Sequence, residues 1–319
     1  MNKESSPQAE GAPASAGRAA PDARLGVVTG LLAYALWGVF PVYFKIVEAV
    51  APAEVLVHRV VWAVPFGALI IAARHQWGIV RSALRDRPML GWLALAALCI
   101  SGNWFVYIWA VVNERIFETS LGYYINPLVY VLVGVAFFRE RLNRLQLAAV
   151  ALAAVGVGIL TINGGVLPWV SLWLALTFTA YGVIRKQVGI GAMPGLFLET
   201  LMMLPFAAGW LAWLMAQGQS AFAAGDASLA GLLLLAGPIT VLPLLFFATA
   251  ARNVSLTTLG FMQFIAPTLQ FLTALWYGEV LSPARLACFA CIWAAVTVFS
   301  VDALRAAKKK PLPAAPAGA

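Results

Sequence analysis

Charge is what this sequence has least of. Only 11% of its residues are Asp, Glu, Lys or Arg, while 62% are hydrophobic. Soluble domains run at about 25% charged and about 45–50% apolar. So little charge cannot clothe the polar surface that a water-soluble domain of this length needs. A soluble globular protein is thereby excluded, and lipid is the natural solvent of the chain.

Cysteine is nearly absent, and Cys99, Cys288 and Cys291 all fall inside apolar segments. No disulfide framework is possible. The CxxC-like spacing of Cys288 and Cys291 has no second pair, so these thiols are expected to act as small buried hydrophobes. The two histidines, His58 in an apolar run and His75 in a loop, are too few and too far apart for a metal site. HExxH, GxSxG, Walker A and a strand-borne GxGxxG are all missing. No enzyme, metal or cofactor is expected, and any transport has to run on gradients. The net charge of +8 does not indicate nucleic acid, because the basic residues stand between apolar runs and serve as topology signals.

What the sequence has in abundance is apolar runs of spanning length, about 20 residues each. Ten are predicted, at 25–46, 54–73, 90–111, 119–138, 145–162, 168–185, 195–216, 229–250, 257–277 and 284–303. The fold class is therefore an all-α integral membrane protein. The Ala-, Ser-, Gly- and Pro-rich tail 1–24 is expected to be disordered, and 305–319 to form a basic tail. The first run is too long for a signal peptide.

Counting Lys and Arg in alternate loops gives the direction. With the N-terminus inside, one side holds Lys3, Arg18, Arg24, Arg74, Arg81, Arg85, Arg87, Arg139, Arg141, Arg144, Arg185, Lys186, Arg252, Arg305, Lys308, Lys309 and Lys310. The other holds only Lys45, Arg115 and Arg285. Both termini are predicted to be cytoplasmic.

The halves also resemble each other. Leu121-Gly122 with Ile125-Asn126-Pro127 answers to Leu259-Gly260 with Ile265-Ala266-Pro267, and Glu140-Arg141-Leu142 to Glu279-Val280-Leu281. Pro65-Phe66 answers to Pro205-Phe206, and Lys45 to Lys186. Five helices per half (25–163 and 164–304) is an odd number, so the second repeat enters the membrane from the opposite side. Inverted repeats of this kind typify secondary transporters, whose substrate site lies between the halves. Duplication retained for stability alone is the competing reading.

Ionisable groups inside a span are costly and usually face a cavity or a partner. Arg59, in the second run, is expected to bind an anionic group of the substrate. Glu199, at the matching place in the seventh, is expected to bind a cation or proton, with the two facing each other across a cavity. His58 is a second proton candidate, and shares a helix face with Glu54. Asn103 and Tyr107 in the third run, Asn126 before Pro127, and Gln263 before Pro267 complete a candidate lining suited to an amphipathic or aromatic small molecule. Snorkelling, structural ties and interfacial aromatic belts (Trp92, Trp169, Trp210) are the alternatives. The small residues around Gly156 and Gly158, and Ala287, Ala290, Ala294 and Ala295, mark the fifth and tenth helices as packing elements that could carry a homodimer face.

Several stretches resemble the RarD branch of the EamA family, within the drug/metabolite transporter superfamily. They are Ala35-Leu36-Trp37-Gly38, Glu54 with His58-Arg59, Asn103-Trp104 with Tyr107-Ile108-Trp109-Ala110-Val111, and Glu118-Thr119-Ser120-Leu121-Gly122-Tyr123-Tyr124-Ile125-Asn126-Pro127-Leu128. The resemblance implies a ten-helix permease of two inverted repeats in the lipid bilayer, moving a small-molecule substrate (metabolite, amino-acid-like solute or drug). A non-transporting scaffold or sensor, or an intramembrane enzyme built on Glu54, His58 and Glu199, are the other classes weighed.

Overall fold

The computed structural model describes residues 22–138, 142–165 and 167–309. Most of tail 1–24, the 310–319 end of the basic tail, and Arg139, Glu140 and Arg141 lie outside the described residues.

All regular structure among the described residues is helical. The elements are α1 (Ala23–Ile46), α2 (Pro52–Ala73), α3 (Trp77–Ala83), α4 (Arg87–Val112), α5 (Ile116–Phe138), α6 (Arg144–Gly164), α7 (Trp169–Val188), α8 (Ala192–Ala216), the 3-10 turn η1 (Ala221–Ala223), α9 (Ala227–Asn253), α10 (Leu256–Met262), α11 (Ile265–Trp276) and α12 (Pro283–Lys309). Local chemistry sets their starts. Asp22, Asp86 and Asp226 each accept a backbone N–H of the first turn that follows, satisfying donors that a helix leaves orphaned. Asn143 and Gln146 form a reciprocal capping box on α6, and Pro52 opens α2 where no N–H is needed.

Among the described residues nine helices are long and apolar enough to cross a membrane. The tenth expected span, α7, is long enough at 20 residues but more polar, because Arg185 and Lys186 fall in its last turn and it also carries Ser171, Thr177, Thr179 and Tyr181. Their hydroxyls all hydrogen-bond within the protein, so α7 keeps its polarity by packing between α4 and α5. The run at 257–277 also differs from expectation, since it is broken at Gln263–Phe264 into α10 and α11. Pro267 is the reason: a proline ring clashes with the carbonyl four residues back, here that of Gln263. Its counterpart Pro127 leaves α5 continuous. The loop expected at 74–89 contains α3, which buries Val80 and Ala83. At the far end α12 continues to Lys309, into the segment expected as tail.

The halves interleave. The main contacts are α6 with α12, α1 with α9, α4 with α7, α2 with α8 and α9, α5 with α7 and α11, and α1 with α11. Matching α1, α2, α4, α5 and α6 to α7, α8, α9, α11 and α12 turns α1–α9 into α7–α4, and α5–α7 into α11–α1. The remaining self-matched pairs are α2–α8, α5–α11 and α6–α12. Two close approaches depend on glycine. A methyl on Gly237 would collide with the backbone of Trp62 in α2, and one on Gly156 would lie 2.9 Å from Cys291 Cβ and 3.0 Å from the Cys288 carbonyl. The cysteines are free, and two of them form the floor on which α6 sits.

Candidate functional site

Arg59 is only 3% exposed and lies where α1, α4 and α9 converge on α2. Its Nε donates to Thr240 Oγ1 of α9 at 3.1 Å. The guanidinium stands 4.2 Å from the Trp104 ring centroid, 5.6 Å from Phe44 and 5.9 Å from Phe40. Stacking on a desolvated aromatic face contributes about 2 kcal/mol. Leaving a buried charge unpaired costs several. Among the described residues Arg59 makes no ion pair, and its Nη atoms donate to no protein oxygen.

Around it lie Tyr43, Tyr107 and Tyr123. Tyr107 packs its ring on Phe44 at 5.8 Å and on Tyr123 at 5.9 Å, yet its buried hydroxyl has no partner. A buried unpaired hydroxyl is unfavourable. An unpaired cation and an unpaired donor therefore stand together among the aromatic rings of α1, α4 and α5, with α9 reaching in through Thr240.

The other expected residues are placed differently. Asn103 donates to Thr177 Oγ1 (2.9 Å) and the Leu174 carbonyl (3.0 Å) and accepts from Tyr123. It ties α4 to α7 and also holds one side of the Arg59 cluster. Asn126 accepts from Thr179 at 2.8 Å, a tie between α5 and α7. Gln263 is half-buried at the break between α10 and α11, and its side chain hydrogen-bonds none of the others. His58 accepts from Trp62 Nε1 at 3.0 Å through Nδ1, which puts the neutral ring's proton on Nε2, 3.9 Å from Glu54 Oε1. Glu54 in turn accepts from Ser220 (2.7 Å) and the Phe222 amide, and the Phe222 ring lies 5.0 Å from His58. This group anchors the loop between α8 and α9.

Glu199 is fully buried, with Arg185 Nε at 3.5 Å and the Tyr181 hydroxyl at 3.2 Å. The Arg185 guanidinium fits only because Gly195 has no side chain to displace it. Glu199 therefore faces Arg185 of its own half and makes no contact with Arg59.

A seam that the sequence did not reveal joins α5 to α11. Ser120 donates to the Pro267 carbonyl (2.8 Å), Thr119 to Gln270 Oε1 (3.3 Å), and the Tyr124 and Thr268 hydroxyls meet at 2.7 Å. At its end the Glu279 carboxylate accepts the amides of Ile116 and Phe117, the first two residues of α5. Burial pushes the Glu279 carboxyl above the usual carboxylate range, against the pull of the two amides, Arg285 and Lys45. An isolated Glu in a loop carries no sequence signal of such a clasp.

Nine described helices with the length and apolarity of membrane spans define a multi-pass membrane protein. Residues 24–162 match the EamA-like transporter family. Relatives along nearly the whole chain include an uncharacterized transporter of Pseudomonas aeruginosa, 45% identical over 91% of this chain and 98% of that one. The RarD proteins of Streptomyces exfoliatus (44%, over 90% and 91%) and Escherichia coli (40%, over 88% and 95%) are similarly related. A solved crystal structure that is 20% identical shares the fold, with a TM-score of 0.55 over 89% of this chain and 99% of that one. The chain belongs to the EamA-like transporter family, in the branch that contains RarD.

Proposed function

We propose that this chain is a secondary transporter that carries a small organic solute across the bacterial cytoplasmic membrane by alternating access. The observation that carries the reading is Arg59, a buried cation between the halves with no carboxylate partner. For a purely structural arginine the ring contacts and the one hydrogen bond return less than burying an unpaired charge costs, whereas a binding group needs that arrangement.

The repeat matches in the sequence and the exchange symmetry of the helix contacts support two inverted five-helix repeats that rock about Arg59. On the charge-derived orientation the α5–α11 seam closes the outer end. Opening outward requires Glu279 to release α5. The Arg185–Glu199 pair is then the inner counterpart, and protonation of Glu199 releases Arg185, coupling transport to protons. His58, with Nδ1 engaged by Trp62, serves as an anchor. The α6–α12 pair, with Leu147, Val155 and Ile162 exposed on α6, is the face that lipid or a second copy would meet.

The test is counterflow in proteoliposomes containing the full chain, screened with labelled organic solutes. Saturable uptake that Arg59→Gln abolishes is the expected result; no uptake of any solute sinks the reading. Glu199→Gln should abolish accumulation driven by a proton gradient while exchange persists, and equal accumulation by variant and parent would reject the coupling role.

A further inference from the structure

We infer that the group held at Arg59 belongs to a monocarboxylate with an apolar, aromatic body and no ammonium. This rests on the reading of the Arg59 cluster as the transport site and deepens it. The argument is a charge balance. Every buried or half-buried carboxylate described is committed elsewhere: Glu54 to Ser220 and Phe222, Glu118 to Arg115, Glu199 to Arg185 and Tyr181, Glu279 to the start of α5, Asp302 to Asn143 and Gln146. Glu54 is on the same helix as Arg59, but five positions separate them, about 140° around the axis at 3.6 residues per turn, and it turns toward the η1 loop.

An incoming ammonium therefore meets no carboxylate. A zwitterion would therefore leave one uncompensated positive charge beside the guanidinium. A dianion fails for the mirror reason, since the charged neighbourhood of Arg59 contains no second Lys or Arg, only tyrosines. One negative charge neutralises the site. The Nη atoms of Arg59 and the orphan Tyr107 hydroxyl are the donors available to two carboxylate oxygens, a geometry that arginine suits. The Trp104, Phe44 and Tyr123 rings around Arg59 present an apolar, π-rich surface to the body of the solute.

The probes are compounds sharing one phenyl body: phenylpropionate, phenylalanine, phenethylamine, phenylpropanol and phenylsuccinate, each titrated against the purified full chain in detergent with Trp fluorescence as readout. Phenylpropionate is expected to bind at least about tenfold more tightly than the rest, the ratio that about 1.4 kcal/mol corresponds to. Arg59→Met should erase the preference, and Tyr107→Phe should weaken phenylpropionate several-fold with the order kept. If Arg59→Met does not fold, the parent's order and Tyr107→Phe decide. Equal or tighter binding of phenylalanine, no binding of phenylpropionate, or an unchanged order in Arg59→Met overturns the inference. If phenylpropionate binds but neither it nor any other solute shows counterflow, the transport reading fails and the site assignment stands. If another solute shows counterflow and phenylpropionate does not bind, the reverse holds.

Discussion

Arg59 and Glu199 occupy matching places in the two halves, 140 residues apart, and their surroundings are opposite. Arg59 is a cation supported by ring faces and one hydroxyl, with no counter-ion. Glu199 is an anion held by a guanidinium and a phenol. Positions 140 residues apart thus hold a cation with no counter-ion and a carboxylate that has one, although Glu199 Oε1 makes no hydrogen bond. Stability and binding should separate accordingly: the paired site carries the fold, and the unpaired site carries the ligand.

The most severe test removes Glu199. Glu199→Ala strands Arg185, only 13% exposed in its side chain, and should cost about 3–5 kcal/mol, seen as a large fall in Tm in detergent. Replacing Arg185 by Met in the same chain should recover most of that loss. If the double variant is as unstable as the single, the pair is not what holds this end together.

Next is the clasp. Glu279→Ala removes two charge-assisted bonds and should cost about 1.5–3 kcal/mol. A cysteine placed at Ser120 should then react faster with a membrane-impermeant maleimide than in the Glu279 parent. Unchanged labelling would show that Glu279 does not control the seam. A smaller loss, about 1–2 kcal/mol, is expected for Asn103→Ala, which frees the Leu174 and Thr177 contacts. Its solute order should stay that of the parent, and a changed order would make Asn103 a binding residue in its own right.

The least stability change is expected where the effect on binding is greatest. Arg59→Met fills similar volume, strands no carboxylate and should alter stability by no more than about 1 kcal/mol, while solute binding disappears. A loss as large as that of Glu199→Ala would erase the contrast between the two sites.

Much of this was legible along the chain. Hydropathy marks the spans because hydrocarbon tolerates so few charges, and the helix starts follow from Asp22, Asp86, Asn143 and Asp226, whose capping acts over three residues. Arg59 and Glu199 stand out because charge inside a span is rare. The family, too, was readable from contiguous stretches. Partnership was not: whether Glu199 faces Arg59 or Arg185, whether Asn126 meets a solute or Thr179, and where Glu279 reaches depend on helices distant in the chain. Polarity in α7 weakened its signal as a span, because Arg185 and Lys186 close it and its hydroxyls find partners in α5, α8 and its own backbone. The chain by itself determined which segments enter the membrane and which residues are costly there, since those are local transfer free energies. Only the tertiary structure decided which of the costly residues meet a counter-ion and which, like Arg59, have none among the described residues, because that depends on geometry between helices distant in the chain.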